Sequence, residues 1–371
     1  DYARVQAGEK KTINLGPQEY NSKKKQAAIV VLPDIEKTTD VGAPFAGAKQ
    51  YFSGNDNNLD NTLTRTVDLT GATTASLDLK GRYHIEENYD YLYFEASTDG
   101  TTWAQLDGTV DGAPIGTDGA QPPRPALDGD SQGRWTDISV PLTAYAGRQV
   151  QVRLHYKTDG GEASGGFFGD DITVNVNGAV QATDGAEGTP EWTGKGFTVV
   201  GATITDSYPN YYIAGHRTYA SYDKYLKTGP YNYGFPDKPQ YAEHFLYSTG
   251  LLVSYANSYW KDNNTTVHPG EGRNLIIDAH PAPIYNAQGK LFRGRVMLYD
   301  APFGLKKAPS FTLHSNGEPT VIKGLPGQPV FDDTKSYFDP NLPWASAKLP
   351  AVGVQIRVVE QSGTSMKIRI S

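Results

Sequence analysis

Six acidic side chains in the first half of the chain have the type and placement expected of calcium ligands. Asp90 lies two residues before Leu92, so it points to the core-facing side of a predicted strand. Asp170 stands in the same relation to Ile172. Calcium would compensate carboxylates at the rim of a core, because it takes about six to eight oxygen ligands. The other four candidate ligands are Glu86, Glu87, Asp56 and Asp171.

A second interpretation of the same carboxylates needs no metal ion. Aspartates next to turns commonly accept hydrogen bonds from the backbone amides of those turns. Thr-Asp-Gly segments at 98–100, 117–119 and 158–160 have the composition of such turns. The sequence leaves calcium binding and amide capping open as alternatives.

Two histidines, His268 and His280, lie close to Glu271 and Asp278 and could bind zinc. Their spacing is not that of His-x-x-x-His, and the residues 275–277 between them predict a buried strand. The pattern therefore favours structural polar contacts over a zinc site.

Catalytic motifs of the common hydrolases are absent from the sequence. The 7 histidines occur in no His-Glu-x-x-His, and the segment 161–165 misplaces the serine of a Gly-x-Ser-x-Gly elbow. No glycine loop for binding phosphate is found. We predict no catalytic site in this chain, and a complete hydrolase with an unrecognised site is the least favoured alternative.

Tyrosines crowd the stretch 208–259. Exposed tyrosine rings would form platforms that stack on sugars or grip a peptide. The simpler alternative is a tyrosine-rich core, which the composition favours.

The composition narrows the class of protein. The net charge of -7 argues against nucleic-acid binding, which requires a basic face, and 0 cysteines exclude disulfides and thiolate metal sites. No apolar run is long enough to span a bilayer. The chain begins at Asp1 without methionine, which we interpret as a piece of a longer, secreted and extracellular precursor.

The elements that must position these residues are short strands, because 40 glycines and 24 prolines leave little room for long helices. Residues 1–35 predict strands that continue from an upstream domain. Residues 36–180 alternate with period two between glycine-rich turns, as in a two-sheet sandwich. After a linker near 183–190, residues 181–371 predict a second β-rich domain.

Four motifs stand in order in the C-terminal part: Tyr-Tyr-Ile at 211–213 with Arg217, Gly-Leu-Leu-Val-Ser-Tyr at 250–255, His-Pro-Gly-Glu-Gly at 268–272 and Ile-Asp-Ala-His-Pro at 277–281. This part resembles the non-catalytic tail of secreted bacterial immune inhibitor A metallopeptidases. Residues 83–103 and 166–172 are similar to the adhesion-type, MAM-like jelly-roll domains of that family. The opening residues 1–5 resemble the segment that follows its catalytic domain.

The resemblance implies an all-β jelly-roll sandwich followed by a second β-rich domain. It also implies that paired aspartates such as Asp170 and Asp171 help to bind structural calcium. Zinc would belong only to an upstream catalytic domain of the same precursor, which would be the main partner. The expected function is a non-catalytic accessory region that braces this domain and positions protein substrates, and the alternative is a free-standing glycan- or protein-binding module.

Overall fold

Strands make up nearly all regular structure in the computed structural model, which describes residues 1–233 and 240–371. Up to residue 200 the strands are β1 (Tyr2–Gln6), β2 (Lys11–Leu15), β3 (Ala27–Val31), β4 (Ile35–Asp40), β5 (Gln50–Phe52), β6 (Asp60–Asp68), β7 (Ala75–Ile85), β8 (Tyr91–Ser97), β9 (Ala104–Gln105), β10 (Thr109–Val110), β11 (Ala113–Pro114), β12 (Gly129–Asp130), β13 (Thr136–Pro141), β14 (Gln149–Lys157), β15 (Gly166–Val176), β16 (Ala179–Asp184), β17 (Thr193–Lys195) and β18 (Thr198–Val200). The later strands are β19 (Thr203–Tyr208), β20 (Asn210–Arg217), β21 (Tyr231–Asn232), β22 (Gln240–Ala242), β23 (Gly250–Asn257), β24 (Asn274–Ile277), β25 (Phe311–Ser315), β26 (Glu318–Ile322), β27 (Val330–Asp332), β28 (Gln355–Ser362) and β29 (Ser365–Ile370). The prediction of an all-β chain is confirmed.

Helical structure within the described ranges is limited to short segments. They are the α-helix Gly294–Met297 and the 3-10 helices Thr143–Tyr145, Ser221–Lys227 and Leu298–Asp300. None of the helices in these ranges has the length and apolar character needed to cross a membrane.

The described residues form two compact units. The middle unit is Thr38–Thr205, and the terminal unit combines Asp1–Lys37 with Asp206–Ser371. Strands β4 and β19, in which the chain passes from one unit to the other, form a two-stranded sheet.

The middle unit is a sandwich of two sheets. One sheet has the strand order β11-β10-β13-β7-β15-β5-β18, with β12 paired to β7 and β16 paired to β15. The other has the order β17-β6-β14-β8-β9. Residues of both sheets share one apolar core, in which Leu154 lies opposite Leu63 on one side and Phe94 on the other. The period-two alternation of the sequence thus places every second side chain in this core.

The described residues of the terminal unit form three sheets. Their strand orders are β1-β3-β20-β23-β24, β2-β29-β28-β27 and β21-β22-β25-β26. Strand β1 runs parallel to β3, and β2 pairs antiparallel with β29 at the far end of the chain. Val30, Tyr212 and Ile368 are fully or almost fully buried in the shared core of the first two sheets.

The domain boundaries differ from those expected from the sequence. Residues 1–35 pair with strands beyond residue 205, and β16, β17 and β18 pair within the middle unit. Except for the β15–β16 hairpin, these pairings join residues that are distant in sequence, so local composition does not reveal them. The continuation of residues 1–35 from an upstream domain stays a prediction.

Candidate metal centres

One group of three carboxylates lies at an end of the sheet that contains β8 and β14. Glu86 and Asp90 flank the turn between β7 and β8, and Asp159 follows the end of β14. One ligand oxygen from each of the three side chains lies within 4.8 Å of the others. The amide of Asp90 donates to the carbonyl oxygen of Glu86 at 3.2 Å, which closes the turn. Backbone hydrogen bonds and strand pairing therefore fix the group.

Two carboxylate oxygens in this group are buried without a hydrogen-bond partner among the described residues. Asp90 is completely buried; its Oδ1 accepts the amide of Asp159 at 2.8 Å, and its Oδ2 has no partner. Glu86 Oε2 is also buried and without a partner. Leaving a carboxylate oxygen unsatisfied in the interior is costly, so the arrangement calls for a cation or a proton.

The pKa values in this group change in the direction that this environment requires. Burial raises the pKa of Asp90, the amide of Asp159 opposes the rise, and the negative charge of Asp159 adds to it. Burial also raises the pKa of Glu86, with further contributions from the charges of Asp159 and Asp90. Three oxygen-donating acids, two of them with orphaned atoms, are the kind of donor set that calcium prefers, so these residues fit the ion expected from the sequence.

The other predicted calcium ligands do not belong to this group. The carboxylate of Asp56 accepts the amide of Asn57, whereas its carbonyl oxygen accepts the hydroxyl of Thr158, next to Asp159 in the chain. Glu87 is exposed.

Asp170 and Asp171 lie in β15, in the opposite sheet of the sandwich. Asp170 is completely buried, and its two oxygens accept the amides of Ala46 at 3.0 Å and Asp171 at 2.7 Å. Burial raises its pKa, and these amides oppose the rise. This is the amide-capping alternative, and calcium at Asp170 and Asp171 stays a prediction.

The sequence does not single out Asp159 as a candidate ligand, because its Thr-Asp-Gly segment predicts an ordinary turn. The signal that could have found it is strand register. Lys157 at the end of β14 pairs with Tyr91 at the start of β8, so the residues just beyond each strand lie together. Asp90 and Asp159 occupy those positions.

A second group, Asp278, His280 and Asp300, lies in the terminal unit. Asp278 Oδ1 accepts the amide of His280 at 2.8 Å, and Asp300 Oδ1 is buried without a partner among the described residues. The Nδ1 of His280 lies 2.9 Å from the carbonyl oxygen of Asp300, and its Nε2 lies 2.8 Å from that of Pro326. Both ring nitrogens of His280 are thus occupied by contacts with backbone carbonyl oxygens, which favours structural polar contacts over a zinc site here.

His268 lies in different contacts. Its Nε2 is 2.9 Å from Asp262 Oδ1, its Nδ1 is 2.5 Å from the carbonyl oxygen of Glu271, and its ring stacks on Trp260. These structural polar contacts agree with the interpretation that the sequence favours.

Asp278 and Asp300 are two buried carboxyl groups beside a single histidine. Burial, and then the charge of Asp300, raises the pKa of Asp278 well above its ordinary value. Burial also raises the pKa of Asp300 to about 6, although His280 opposes the rise. Two buried carboxyl groups therefore lie together, and burial favours the protonated form of both.

Asp278→Asn is expected to stabilise the terminal unit at alkaline pH. A carboxyl group with a raised folded-state pKa binds its proton more tightly when folded, so its contribution to stability falls as the pH rises above the unfolded value of 3.8. Because asparagine cannot ionise, the variant should match the wild type near pH 4 and exceed it in stability near pH 8, by about 1.4 kcal/mol for each unit by which folding raises the pKa of Asp278. Urea unfolding at both pH values measures this difference. Glu318→Gln, at an exposed position, should show no such trend, and an unchanged pH slope in Asp278→Asn would contradict the account.

The crowded tyrosines range from buried to exposed. Tyr212, Tyr233, Tyr247 and Tyr255 are buried in the cores of the terminal unit. Tyr222, which is 85% exposed, is among those at the surface. Most of the buried rings contact other aromatic rings, so this stretch supplies core packing.

Comparison with known proteins matches each half of the chain to the model of a known domain family. Residues 10–202 match the domain described as "Immune inhibitor A-like, MAM domain", and residues 205–370 match "Immune inhibitor A-like metallopeptidase, VEG domain". The chain is 33% identical over 339 residues to immune inhibitor A of Bacillus thuringiensis subsp. alesti, with 90% of this chain and 45% of the relative covered. It is 28% identical over 328 residues to the pre-pro-metalloprotease PrtV of Vibrio cholerae, with 86% and 33% covered.

The two matches together cover residues 10–370 and define a β-rich region of the immune inhibitor A-like type. The chain belongs to the immune inhibitor A-like metallopeptidase family. It spans less than half the length of these two curated relatives.

Proposed function

We propose that this chain is the non-catalytic accessory region of a secreted zinc metalloendopeptidase. In this role it braces the catalytic domain and helps to position protein substrates. The observation that carries the proposal is the succession of the MAM and VEG domains over residues 10–370. The VEG domain is described as part of immune inhibitor A-like metallopeptidases, one relative is named as a pre-pro-metalloprotease, and both relatives are more than twice as long as this chain. Zinc would be bound by the catalytic domain and not by the chain described here.

The N-terminal strands give this role a structural basis. Among the described residues, strand β1 is the edge strand of its sheet and pairs on one side only, with β3. The carbonyl oxygen of Asp1 accepts the amide of Gln26 at 2.8 Å, and the carboxylate of Asp1 pairs with Lys25 at 2.7 Å. A catalytic domain joined before Asp1 would thus be attached at a fixed point, beside an open sheet edge that it could cover.

Co-expression tests the accessory role. The region encoded directly upstream of this chain would be produced with one affinity tag and this chain with another. We expect the upstream region to contain His-Glu-x-x-His, to bind zinc, to co-purify with this chain and to unfold at lower temperature without it. An upstream region that lacks the motif, or that folds and works without contacting this chain, would defeat the proposal.

We further propose that Glu86, Asp90 and Asp159 bind one structural calcium ion in the middle unit. The support is the orphaned Oδ2 of the fully buried Asp90 and the orphaned Oε2 of Glu86. Calcium would neutralise the three carboxylates and tie the turn before β8 to the loop after β14. Its contribution would be rigidity of this edge of the sandwich, with no chemical step.

A glycan- or protein-binding module remains the second candidate because one cavity of the middle unit presents tyrosines to solvent. This cavity of about 340 Å³ is lined by Tyr89, Tyr91 and Tyr93 together with Asp118 and Arg124. Tyr89 is 61% exposed, and Arg124 is held by an ion pair with Asp118. A glycan array probed with this chain and with Tyr89→Ala tests the glycan form of this candidate; Tyr222→Ala is the matched control at an exposed tyrosine elsewhere.

A further inference from the structure

A cavity of about 260 Å³ in the terminal unit has an unusual concentration of positive charge. Its lining includes Lys227, Lys306, Lys307 and the ring of His280, with Tyr219 and Tyr247 as an aromatic wall. The chain as a whole has a net charge of -7, so its average composition does not account for three lysines around one cavity.

None of these three lysines forms an ion pair with a described residue, whereas Lys25 and Lys348, for example, pair with carboxylates. The ammonium group of Lys227 instead lies 4.7 Å from the centre of the Tyr219 ring. Like charges gathered at one cavity repel each other, and no acidic side chain of the described residues relieves this repulsion by direct contact. The arrangement therefore favours a ligand that brings negative charge.

Backbone hydrogen bonds fix the segment that carries Lys306 and Lys307. Before it, the amide of Gly304 donates to the carbonyl oxygen of Gln328 at 2.8 Å. After it, the amide of Ala308 donates to the carbonyl oxygen of Leu325 at 2.9 Å. With both ends tied, the two lysines incur little backbone ordering cost on binding.

The opposite rim is also held in place. Lys227 ends the 3-10 helix Ser221–Lys227, and the neighbouring Leu226 accepts the amide of Phe245 at 3.0 Å through its carbonyl oxygen. The cavity is therefore bordered by cations on two backbone segments that are each fixed by hydrogen bonds.

Most uncharged polar side chains of the wall are already engaged. Tyr219 and Tyr247 stack with ring centres 4.3 Å apart, and their hydroxyls donate to the carbonyl oxygens of Tyr247 and Thr218. The side chain of Ser248 donates to the carbonyl oxygen of Tyr299, and both ring nitrogens of His280 are bound as described above. The lysine ammonium groups are thus the principal donors left for a ligand, and recognition would depend on charge.

We propose that this cavity binds a small oxyanion that carries two or more negative charges, either a phosphate or a dicarboxylate. A lysine ammonium group binds both as a point charge, and several of them together favour multiply charged ions. This site is separate from the calcium group and does not depend on the accessory role.

Calorimetric titration with inorganic phosphate and, separately, with succinate at low ionic strength tests the proposal. The wild-type chain should bind at least one of the two ions saturably, and Lys306→Ala/Lys307→Ala should bind it at least about tenfold more weakly. Lys10→Ala/Lys335→Ala removes the same charge at exposed positions outside the cavity and should bind like the wild type.

Preference for phosphate or for succinate identifies which oxyanion the cavity takes, and either supports the proposal. If neither ion bound saturably, the proposal would be overturned. Equal weakening by the two double variants would also overturn it, because the binding would then depend on the general charge of the chain and not on the cavity. Since the four lysines are exposed, circular dichroism should show that all variants fold.

Discussion

Calcium is expected to raise the unfolding temperature of the middle unit, and Asp90→Asn is expected to abolish that rise. The reason is that the ion would satisfy the buried Oδ2 of Asp90 and the buried Oε2 of Glu86. At free calcium a hundredfold above its dissociation constant, the stabilisation is about 2.7 kcal/mol. Calorimetric unfolding in calcium and in chelator measures it for both chains.

In the absence of calcium, Asp90→Asn should not destabilise the middle unit. The asparagine side chain would carry no charge into the interior, so the variant should be at least as stable as the wild type in chelator. Asp107→Asn, at an exposed position in the same unit, should keep the full calcium response. A wild-type chain that unfolds at the same temperature in calcium and in chelator would refute binding at this group.

Acidification should weaken calcium binding at this group. Burial raises the pKa of Asp90 and of Glu86, so protons compete with the ion at a higher pH than at exposed carboxylates. A calcium titration at several pH values measures the competition, and an affinity that does not change down to about pH 4 would contradict it.

Glu95→Gln is expected to cost the middle unit about 3 kcal/mol at neutral pH. Glu95 is buried in β8, and its Oε2 accepts from Arg153 Nε at 2.5 Å and lies 3.0 Å from His155 Nδ1. The other ring nitrogen of His155 lies 2.7 Å from Asp60 Oδ1. Glutamine would leave the guanidinium of Arg153 in the sheet without its negative partner.

The pH dependence of this loss distinguishes ion pairing from packing. Burial alone would raise the pKa of Glu95, but hydrogen bonds from His155 and Arg153 lower it below its ordinary 4.5 overall. A lowered folded-state pKa contributes stability above the unfolded pKa, and this contribution disappears as the pH falls. Urea unfolding should therefore show a wild-type advantage that shrinks below about pH 4.5, with Glu162→Gln as an exposed control. An advantage independent of pH would indicate packing instead.

The fold of the middle unit follows from alternation that is visible in the sequence. Leu77 and Leu79 in β7, and Val152 and Leu154 in β14, alternate with more exposed neighbours as period-two patterns require. The terminal unit is harder to predict, because one of its sheets pairs β2, near the start of the chain, with β29 at its end. Pairing across nearly the whole chain leaves no local signal.

The candidate calcium group shows what the alternation of side chains along a strand, here called parity, cannot predict. Parity correctly places Asp90 and Asp170 in the interior, where both are completely buried. It does not show that their strands belong to different sheets, or that Asp159 lies beside Asp90. Those facts depend on strand order and register, which follow from packing of the entire sandwich.

The central claim is that this chain serves as the accessory region of a zinc metallopeptidase. The most direct test is gel filtration of the native protein from the culture medium of its source, with N-terminal sequencing and zinc analysis of each chain in the peak. The account predicts that this chain elutes joined to, or bound by, a zinc-containing region that carries His-Glu-x-x-His. Elution of this chain alone, without zinc and without such a partner, would contradict it.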